Sequence, residues 1–243
     1  MQPTAVVVGV GSEEGLGAAV ARRFARGGFH VLVGGRTIEK LERVVKSLSG
    51  GNGTPVVVDA TSETDVLQLF QLASSPGAGR SPASVVIFNA GNNQHIPLQQ
   101  VSAAQFEDFW RVGCFGGFLV GREAANLLLP KGEGTLIFTG ASASLRGRPG
   151  YAHFAAAKAG LRMISQSMAR EFGPQGLHVA HVVIDGGING TRLKNQRPDA
   201  VAHRGPDGLL NIDAIAETYW QLHLQHPTAW TQEIDLRPFK ESF

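Results

Sequence analysis

The chain contains little cysteine and no long hydrophobic run. Its 243 residues include one cysteine, Cys114, which excludes an internal disulfide and suits a reducing compartment. No apolar run approaches the roughly 18 residues that a membrane-spanning helix needs. The first residues enter a strand pattern with no basic region before it, which does not fit a signal peptide. These features predict a soluble cytoplasmic protein without a membrane partner.

Acidic and basic residues are also nearly balanced, so neither sign of charge is in large excess. The formal net charge of +2 at pH 7 is too small to indicate binding to nucleic acid. Apolar residues make up 43% of the chain and charged residues 17%, which is ordinary for a globular protein with a buried core. No low-complexity linker divides the sequence and no metal site is predicted, so we expect one domain over residues 1–243.

Short apolar runs alternate with helical patterns along the chain. Strands are predicted at 5–8, 30–33, 55–58, 84–88, 135–140, 178–184 and 231–236. Helical patterns lie between them, and the longest covers residues 106–129. The alternation predicts an α/β fold, with a doubly wound parallel sheet of about seven strands and helices on both faces.

A glycine-rich segment separates the first strand from the first helix. Gly11, Gly15 and Gly17 follow a Gly-x-x-x-Gly-x-Gly spacing, and Leu16 belongs to the same candidate site. A register that starts at Gly9 with a longer loop is also open. Glycines here let a pyrophosphate approach the first helical N–H groups, so we predict dinucleotide binding. A plain glycine-rich turn is the alternative.

The end of the second strand indicates which dinucleotide binds. A carboxylate there would accept hydrogen bonds from the ribose 2′-OH of NAD, but Gly35 occupies the position and Arg36 follows. Because a guanidinium pairs well with phosphate, NADP is favoured over NAD. Glu13 and Glu14 add no second basic partner, and the alternative for Arg36 is a solvated loop charge.

The stretch 141–161 resembles a known family. Lys158 lies on a helix of small residues behind a Ser-rich segment, as in the Tyr-x-x-x-Lys motif of the short-chain dehydrogenase/reductase family. In that register the tyrosine position is Phe154, and the family's upstream serine falls on Ala141, with Ser142 beside it. The resemblance covers about the first 190 residues and implies a Rossmann-like single domain that binds NAD(P).

The resemblance also implies cofactor contacts elsewhere. Asp59 would hydrogen-bond the adenine amino group, although capping the next helix is an alternative role. Asn89, Ala90 and Gly91 resemble the family's Asn-Asn-Ala-Gly, in which the asparagine steadies the strand ends and the glycine admits the ribose. Lys158 would bind the hydroxyls of the nicotinamide ribose.

A third cofactor segment follows the sixth strand. Gly186, Ile188 and Thr191 match the family segment that holds the nicotinamide carboxamide, while Asp185 replaces its proline. Residues 192–211 are polar and weakly patterned, which is typical of a substrate-lid loop.

This sequence lacks the tyrosine that acts as the proton donor in the family. Phe154 cannot donate a proton, and three groups are candidate substitutes. Tyr151 is the first, because it shares a face with the lysine if the helix already includes it. Asp185 is the second, since desolvation would raise its pKa. Ser142 could donate a hydrogen bond to a carbonyl, and His153 is expected at the surface.

Small residues recur in the helix 106–129. The family uses this helix and the lysine helix as a subunit interface, so a homodimer or homotetramer is expected. Close packing within one subunit is the alternative. The family's proton-relay asparagine falls on Gly113 in this helix, a further departure.

These observations predict an NADP(H)-dependent oxidoreductase that acts on a small-molecule carbonyl/alcohol pair with a non-standard acid group. An NADP(H)-binding sensor or scaffold without dehydrogenase activity is the main alternative, and a non-redox lyase or isomerase is a third. No motif in the lid names the substrate.

Overall fold

Seven parallel strands form one sheet in a computed structural model that describes residues 1–241. The order across the sheet is β3-β2-β1-β4-β5-β6-β7. The strands are β1 (Gln2–Val8), β2 (His30–Gly35), β3 (Gly53–Val57), β4 (Arg80–Phe88), β5 (Gly134–Thr139), β6 (Leu177–Ile184) and β7 (Glu233–Leu236). The helices are α1 (Leu16–Arg26), α2 (Ile38–Lys46), α3 (Glu63–Ser74), α4 (Ala103–Trp110), α5 (Gly116–Leu128), α6 (Ala152–Phe172), α7 (Thr191–Gln196), α8 (Pro198–Arg204) and α9 (Ile212–His223). The predicted fold class is confirmed.

Both faces of the sheet are buried, because successive side chains of a strand point to opposite sides. Along β1, Ala5 and Val7 pack in the core formed with α1, α2 and α9. Val6 and Val8 pack in the opposite core, formed with α3, α5 and α6. All four residues are at most 1% exposed. This explains why the strands read as continuous apolar runs rather than as alternating ones.

The direction of winding reverses at β1. This strand pairs with β2 on one side and with β4 on the other. In such sheets the crevice for a ligand opens at the carboxyl ends of the two strands where the order reverses. The loops after β1 and β4 are the glycine-rich segment and the segment that begins with Asn89, so the fold brings these two motifs together.

The long helix predicted over 106–129 is present, but it is longer and interrupted. A π-helical turn, Arg111–Phe115, joins α4 to α5, and the whole rod runs from Ala103 to Lys131. Within residues 1–241 it is the one helix long and apolar enough to cross a membrane, and 61% of the tested window is buried. A core helix of a globular protein has this character.

The glycines of this rod pack inside the subunit. A Cβ at Gly117 would overlap Leu161 of α6, and one at Gly113 would lie 3.0 Å from the Ala157 Cβ. The interpretation that these glycines face a second subunit is therefore wrong, and close packing within one subunit is correct.

The segment 192–211, predicted to be a substrate-lid loop, contains most of α7 and all of α8, two short helices that lie close to one another. Its role as a lid stays a prediction.

Two glycines of the loop after β1 should differ in their effect on stability. Gly9 has φ +94°, and a Cβ there would overlap the Ala90 backbone. We expect Gly9→Ala to lower the free energy of unfolding by roughly 1–3 kcal/mol through backbone strain alone. Gly11 has nothing within 4 Å of its Cβ position, so Gly11→Ala should leave stability within about 1 kcal/mol. Chemical denaturation of both variants without cofactor would measure this, and equal losses would contradict it.

Candidate active site

The glycine-rich loop forms an open cradle at the start of α1. Gly15 is the N-cap residue and contributes no side chain to the helix end, so Leu16 begins a helix whose first N–H groups remain available. A Cβ at Gly17 would lie 3.0 Å from the Gly9 carbonyl oxygen, whereas the Cβ direction of Gly11 is empty. Gly9 therefore packs between α1 and the backbone after β4, whereas Gly11 faces open space. The residues present fit a dinucleotide pyrophosphate at this helix N-terminus.

The end of β2 leaves no room for an acidic side chain. A Cβ at Gly35 would overlap the Val10 carbonyl oxygen, so no carboxylate fits at this position. Arg36 follows directly and is exposed. The end of β2, which would face the 2′ position of an adenine ribose, thus has the positive charge of Arg36 after it and no acidic residue.

Asp59 lies just beyond β3 and stabilises a turn. Its Oδ1 accepts hydrogen bonds from the backbone N–H of Thr61 at 2.8 Å and from the Thr61 hydroxyl at 2.9 Å. Ser62 caps α3 instead, by accepting from the Asp65 N–H. The alternative role of Asp59 as the helix cap is therefore not realised, and its adenine contact stays a prediction.

Asn89 links the ends of three strands. Its amide donates to the Gly9 carbonyl after β1 at 3.1 Å, and its Oδ1 accepts from the Thr139 hydroxyl of β5 at 3.1 Å. Thr139 also hydrogen-bonds the buried Tyr219 hydroxyl of α9 at 2.8 Å. The predicted steadying role of Asn89 therefore has direct contacts behind it.

Lys158 is a buried ammonium at the floor of the crevice. The residue is 4% exposed, and its Nζ donates to the Thr139 carbonyl oxygen at 2.8 Å. Gly91 lies alongside, since a Cβ there would be 3.4 Å from Nζ. Burial lowers the pKa of Lys158 to about 8. The group can therefore gain or lose a proton near neutral pH.

Asp185 is the other buried charge of the site, and it is paired. Its side chain is 1% exposed, and Arg146 Nη2 donates to both carboxylate oxygens at 2.9 Å. Arg237 Nη2 donates to Oδ2 at 2.6 Å. Burial by itself raises the pKa of Asp185, but the hydrogen bonds from Arg146 and Ser142 and the charge of Arg237 hold it below its ordinary value. The expectation of a raised pKa is wrong, and Asp185 is an ionised clamp.

The residues at the start of α6 differ from expectation. Tyr151 is the N-cap residue with φ −131°, outside the helix, and its ring meets His95 edge-on at 5.3 Å. Membership of the helix was the condition for Tyr151 to share a face with the lysine, and it is not met. His153, expected at the surface, is fully buried against Phe109, with Nε2 3.1 Å from the Gln94 carbonyl oxygen.

The segment after β6 is tightly packed. Gly186 has φ +155°, and a Cβ there would lie 2.7 Å from the Pro238 Cδ. Ile188 forms an isolated bridge with Leu210, so the two ends of the segment 188–210 lie side by side.

The first two residues of α7 contact both the glycine-rich loop and the segment after β4. The Thr191 N–H donates to the Glu14 carbonyl oxygen of the glycine-rich loop at 3.2 Å. On the other side, Arg192 donates to the carbonyl oxygens of Gly91 at 3.2 Å and Asn93 at 3.0 Å. Sequence reasoning missed Arg192, as it missed Arg146, because neither residue lies in a motif.

Residues 4–201 match the family model described as short chain dehydrogenase. The chain belongs to the short-chain dehydrogenase family. A short-chain dehydrogenase of Rhodopseudomonas palustris, known from its crystal structure, is 37% identical, with a TM-score of 0.79 over 98% of this chain and 99% of that one. Membership implies the chemistry of an oxidoreductase with an NAD(P) cofactor.

Curated relatives of this short-chain dehydrogenase are more distant. Gluconate 5-dehydrogenase of Gluconobacter oxydans is 27% identical over 172 residues, which are 70% of this chain and 66% of that protein. NADPH-dependent 1-acyldihydroxyacetone phosphate reductase of Saccharomyces cerevisiae is 23% identical over 209 residues, 85% of this chain and 69% of that protein. The chain thus spans about two thirds of the length of these relatives.

Replacing Asp185 should test its role as a clamp. Asp185→Asn leaves two arginines side by side, and we expect the free energy of unfolding at pH 7 to fall by roughly 3 kcal/mol. Because the folded pKa is lowered, the wild-type contribution is present above the unfolded pKa of about 3.9 and is lost as the pH falls through the folded value. Denaturant titrations across pH would measure both effects.

The matched control is Asp235→Asn. Asp235 lies 3.5 Å from Arg237 but is 42% exposed, so its loss should cost less than about 1 kcal/mol. Equal losses of the free energy of unfolding in the two variants would contradict a special stabilising role of the ion pairs at Asp185.

Proposed function

We propose that this protein is an NADP(H)-dependent oxidoreductase that interconverts a carbonyl and an alcohol on a small molecule, with Lys158 as the proton donor and acceptor. The observation that carries the proposal is the buried Lys158 ammonium beside Gly91, at the crevice where the cofactor motifs meet. The bound nicotinamide would supply or accept the hydride.

Elimination of the other candidate acids supports this assignment. Phe154 stands where the family has its tyrosine, so no phenol is present at that point. Tyr151 lies outside α6 against His95. Asp185 is ionised and paired, and Ser142 hydrogen-bonds to it. Lys158 is the remaining group of the motif with a proton to give.

The geometry around Lys158 suits proton transfer. One N–H is fixed on the Thr139 carbonyl oxygen, which positions Nζ without neutralising its charge. In the reductive direction Nζ donates a proton to the carbonyl oxygen as hydride reaches the carbon, and burial stabilises the neutral amine that remains. In the oxidative direction the neutral amine accepts the hydroxyl proton. A pKa of about 8 places both protonation states within reach of neutral pH.

The pH dependence of the rate should follow Lys158. Carbonyl reduction needs the protonated amine, so its rate should fall as the pH rises above about 8, while alcohol oxidation should rise through the same range. Lys158→Met should reduce both rates by roughly 10²–10⁴-fold, the usual value of positioned acid–base catalysis. NADPH absorbance with a panel of ketones and aldehydes provides the measurement.

A phenol at position 154 separates this mechanism from the alternatives. Phe154→Tyr should raise carbonyl reduction, because Lys158 one helical turn later lowers the pKa of the new phenol through its charge. Tyr151→Phe is the matched control and should change the rate less than about twofold, since no transferable proton is assigned to it. A large loss of the reduction rate in Tyr151→Phe would show that Tyr151, and not Lys158, is the proton donor.

A second candidate function is an NADP(H)-binding sensor or scaffold. It is favoured by the joint departures from the family pattern at Gly113, Ala141 and Phe154. The result that supports it is tight NADPH binding with no turnover by the wild type and no gain in Phe154→Tyr.

Arg36 should set the cofactor preference. With no room for an acid at Gly35, NADPH should bind more tightly than NADH by about 1–2 kcal/mol through a guanidinium–phosphate pair. Arg36→Ala should abolish the difference, as measured by fluorescence titration of both cofactors. Arg43→Ala, an exposed charge on α2, is the control and should keep the preference. Equal wild-type affinities would exclude this role.

We further propose a homodimer or homotetramer, now supported by an exposed aromatic stripe in place of the glycines. The stripe consists of Trp110, Phe115 and Phe118, whose rings stack in sequence at 5.9 and 6.2 Å. Trp110 is 39% exposed and Phe118 41%, and Met163 on α6 is 51% exposed. Exposed apolar patches of this kind mark contact surfaces.

Light scattering at micromolar concentration should therefore report a dimer or tetramer. Trp110→Ser should shift the population to monomer, because it removes an apolar ring from the stripe. Leu224→Ser, at an exposed apolar position after α9, should leave the assembly intact. A monomeric wild type would refute the assembly.

A further inference from the structure

The basic side chains around the crevice are not alike. Three have a carboxylate partner: Arg146 and Arg237 share Asp185, and Lys194 lies 3.6 Å from Glu14. Like Lys158, Arg192 pairs with no carboxylate among residues 1–241. It is an exposed positive charge near the proposed reacting site that no described acidic group balances.

Arg192 is nevertheless held in place. Nη1 donates to the Gly91 carbonyl oxygen at 3.2 Å and Nη2 to the Asn93 carbonyl oxygen at 3.0 Å. Both acceptors are neutral, and the residue is otherwise exposed. A guanidinium has five N–H donors, so three are left for another partner. Fixing its orientation in advance reduces the entropic cost of binding such a partner.

The Arg192 guanidinium lies near Lys158, the proposed proton donor. Gly91 is the common neighbour: its carbonyl oxygen accepts from Arg192, and its Cβ direction points at Lys158 Nζ, 3.4 Å away. A ligand that places a carbonyl at Lys158 therefore has the guanidinium within a few atoms.

We propose that the substrate carries an oxyanion, a carboxylate or a phosphate, a few atoms from its reacting carbonyl, and that Arg192 binds it. This inference rests on the proposed function, since it places the carbonyl at Lys158. A bidentate guanidinium–oxyanion pair is among the strongest polar contacts available to a protein, and it would give Arg192 the anionic partner that the described residues do not supply.

Binding of matched ketones to the protein saturated with NADP⁺ tests the proposal without turnover. The probes for isothermal titration calorimetry are levulinate against methyl levulinate, and dihydroxyacetone phosphate against dihydroxyacetone. In at least one pair the anion should bind roughly 10–100-fold more tightly than its neutral partner. The first pair reports a carboxylate site and the second a phosphate site.

Variants at two positions of the α7 segment assign the effect. Arg192→Gln should abolish the preference for the anion, and Arg192→Lys should retain part of it, because it keeps the charge but loses the fork. Arg197→Gln removes the same charge at the exposed C-cap of α7 and should keep the full preference. Melting temperatures of all three variants near that of the wild type would show that α7 still packs.

The outcomes separate the substrate class from the reaction. Equal binding of anionic and neutral partners by the wild type, or a preference unchanged in Arg192→Gln, overturns the proposal. If Arg192→Gln instead weakens NADPH and leaves the anion preference, the guanidinium serves the cofactor and the proposal is also overturned. An anion preference that depends on Arg192 supports the site even if no ketone is turned over, in which case only the proposed function fails.

Discussion

Two buried charges lie at the carboxyl edge of the sheet, and their different compensation determines the character of the site. Asp185 is held by two arginines, so its pKa falls despite burial and its charge is fixed. Lys158 is held by one neutral carbonyl oxygen, so burial lowers its pKa towards neutrality. A compensated charge joins loops together, whereas an uncompensated one is available for proton transfer.

The ion pairs of Asp185 hold two irregular segments in fixed positions beside the end of β6. Arg146 belongs to the loop after β5 and Arg237 to the chain after β7, and both reach the end of β6. Asn89 does the same for the ends of β1 and β5. Polar contacts thus join the loops at the carboxyl ends of β1, β4, β5 and β6 and the segment after β7, while the apolar cores pack the strands against the helices.

The sequence predicted those parts of the site that depend on local backbone requirements. The glycine spacing between β1 and α1 was recognisable because strand, loop and helix are contiguous and each has its own pattern. The residue type at Gly35 likewise excluded an acidic side chain, and the structure shows no room for one there, while the role of Arg36 stays a prediction. Asn89 was placed by its resemblance to the family's Asn-Asn-Ala-Gly segment, and the structure adds its contacts with the ends of β1 and β5. The glycine spacing and the residue types at the end of β2 needed only neighbours in the chain, whereas Asn89 needed the resemblance to the family.

The remaining features depend on groups that are far apart in sequence. Asp185 meets Arg146 and Arg237 across 39 and 52 residues, so no spacing could show that its pKa is lowered rather than raised. The glycines at 113 and 117 could face a second subunit or α6, and only the packing of the two helices decided it. By itself the sequence determined the α/β sheet and the dinucleotide cradle, because strand period, helix period and glycine geometry are local. Tertiary structure alone decided which charges are balanced, because burial and ion pairing depend on where distant segments meet.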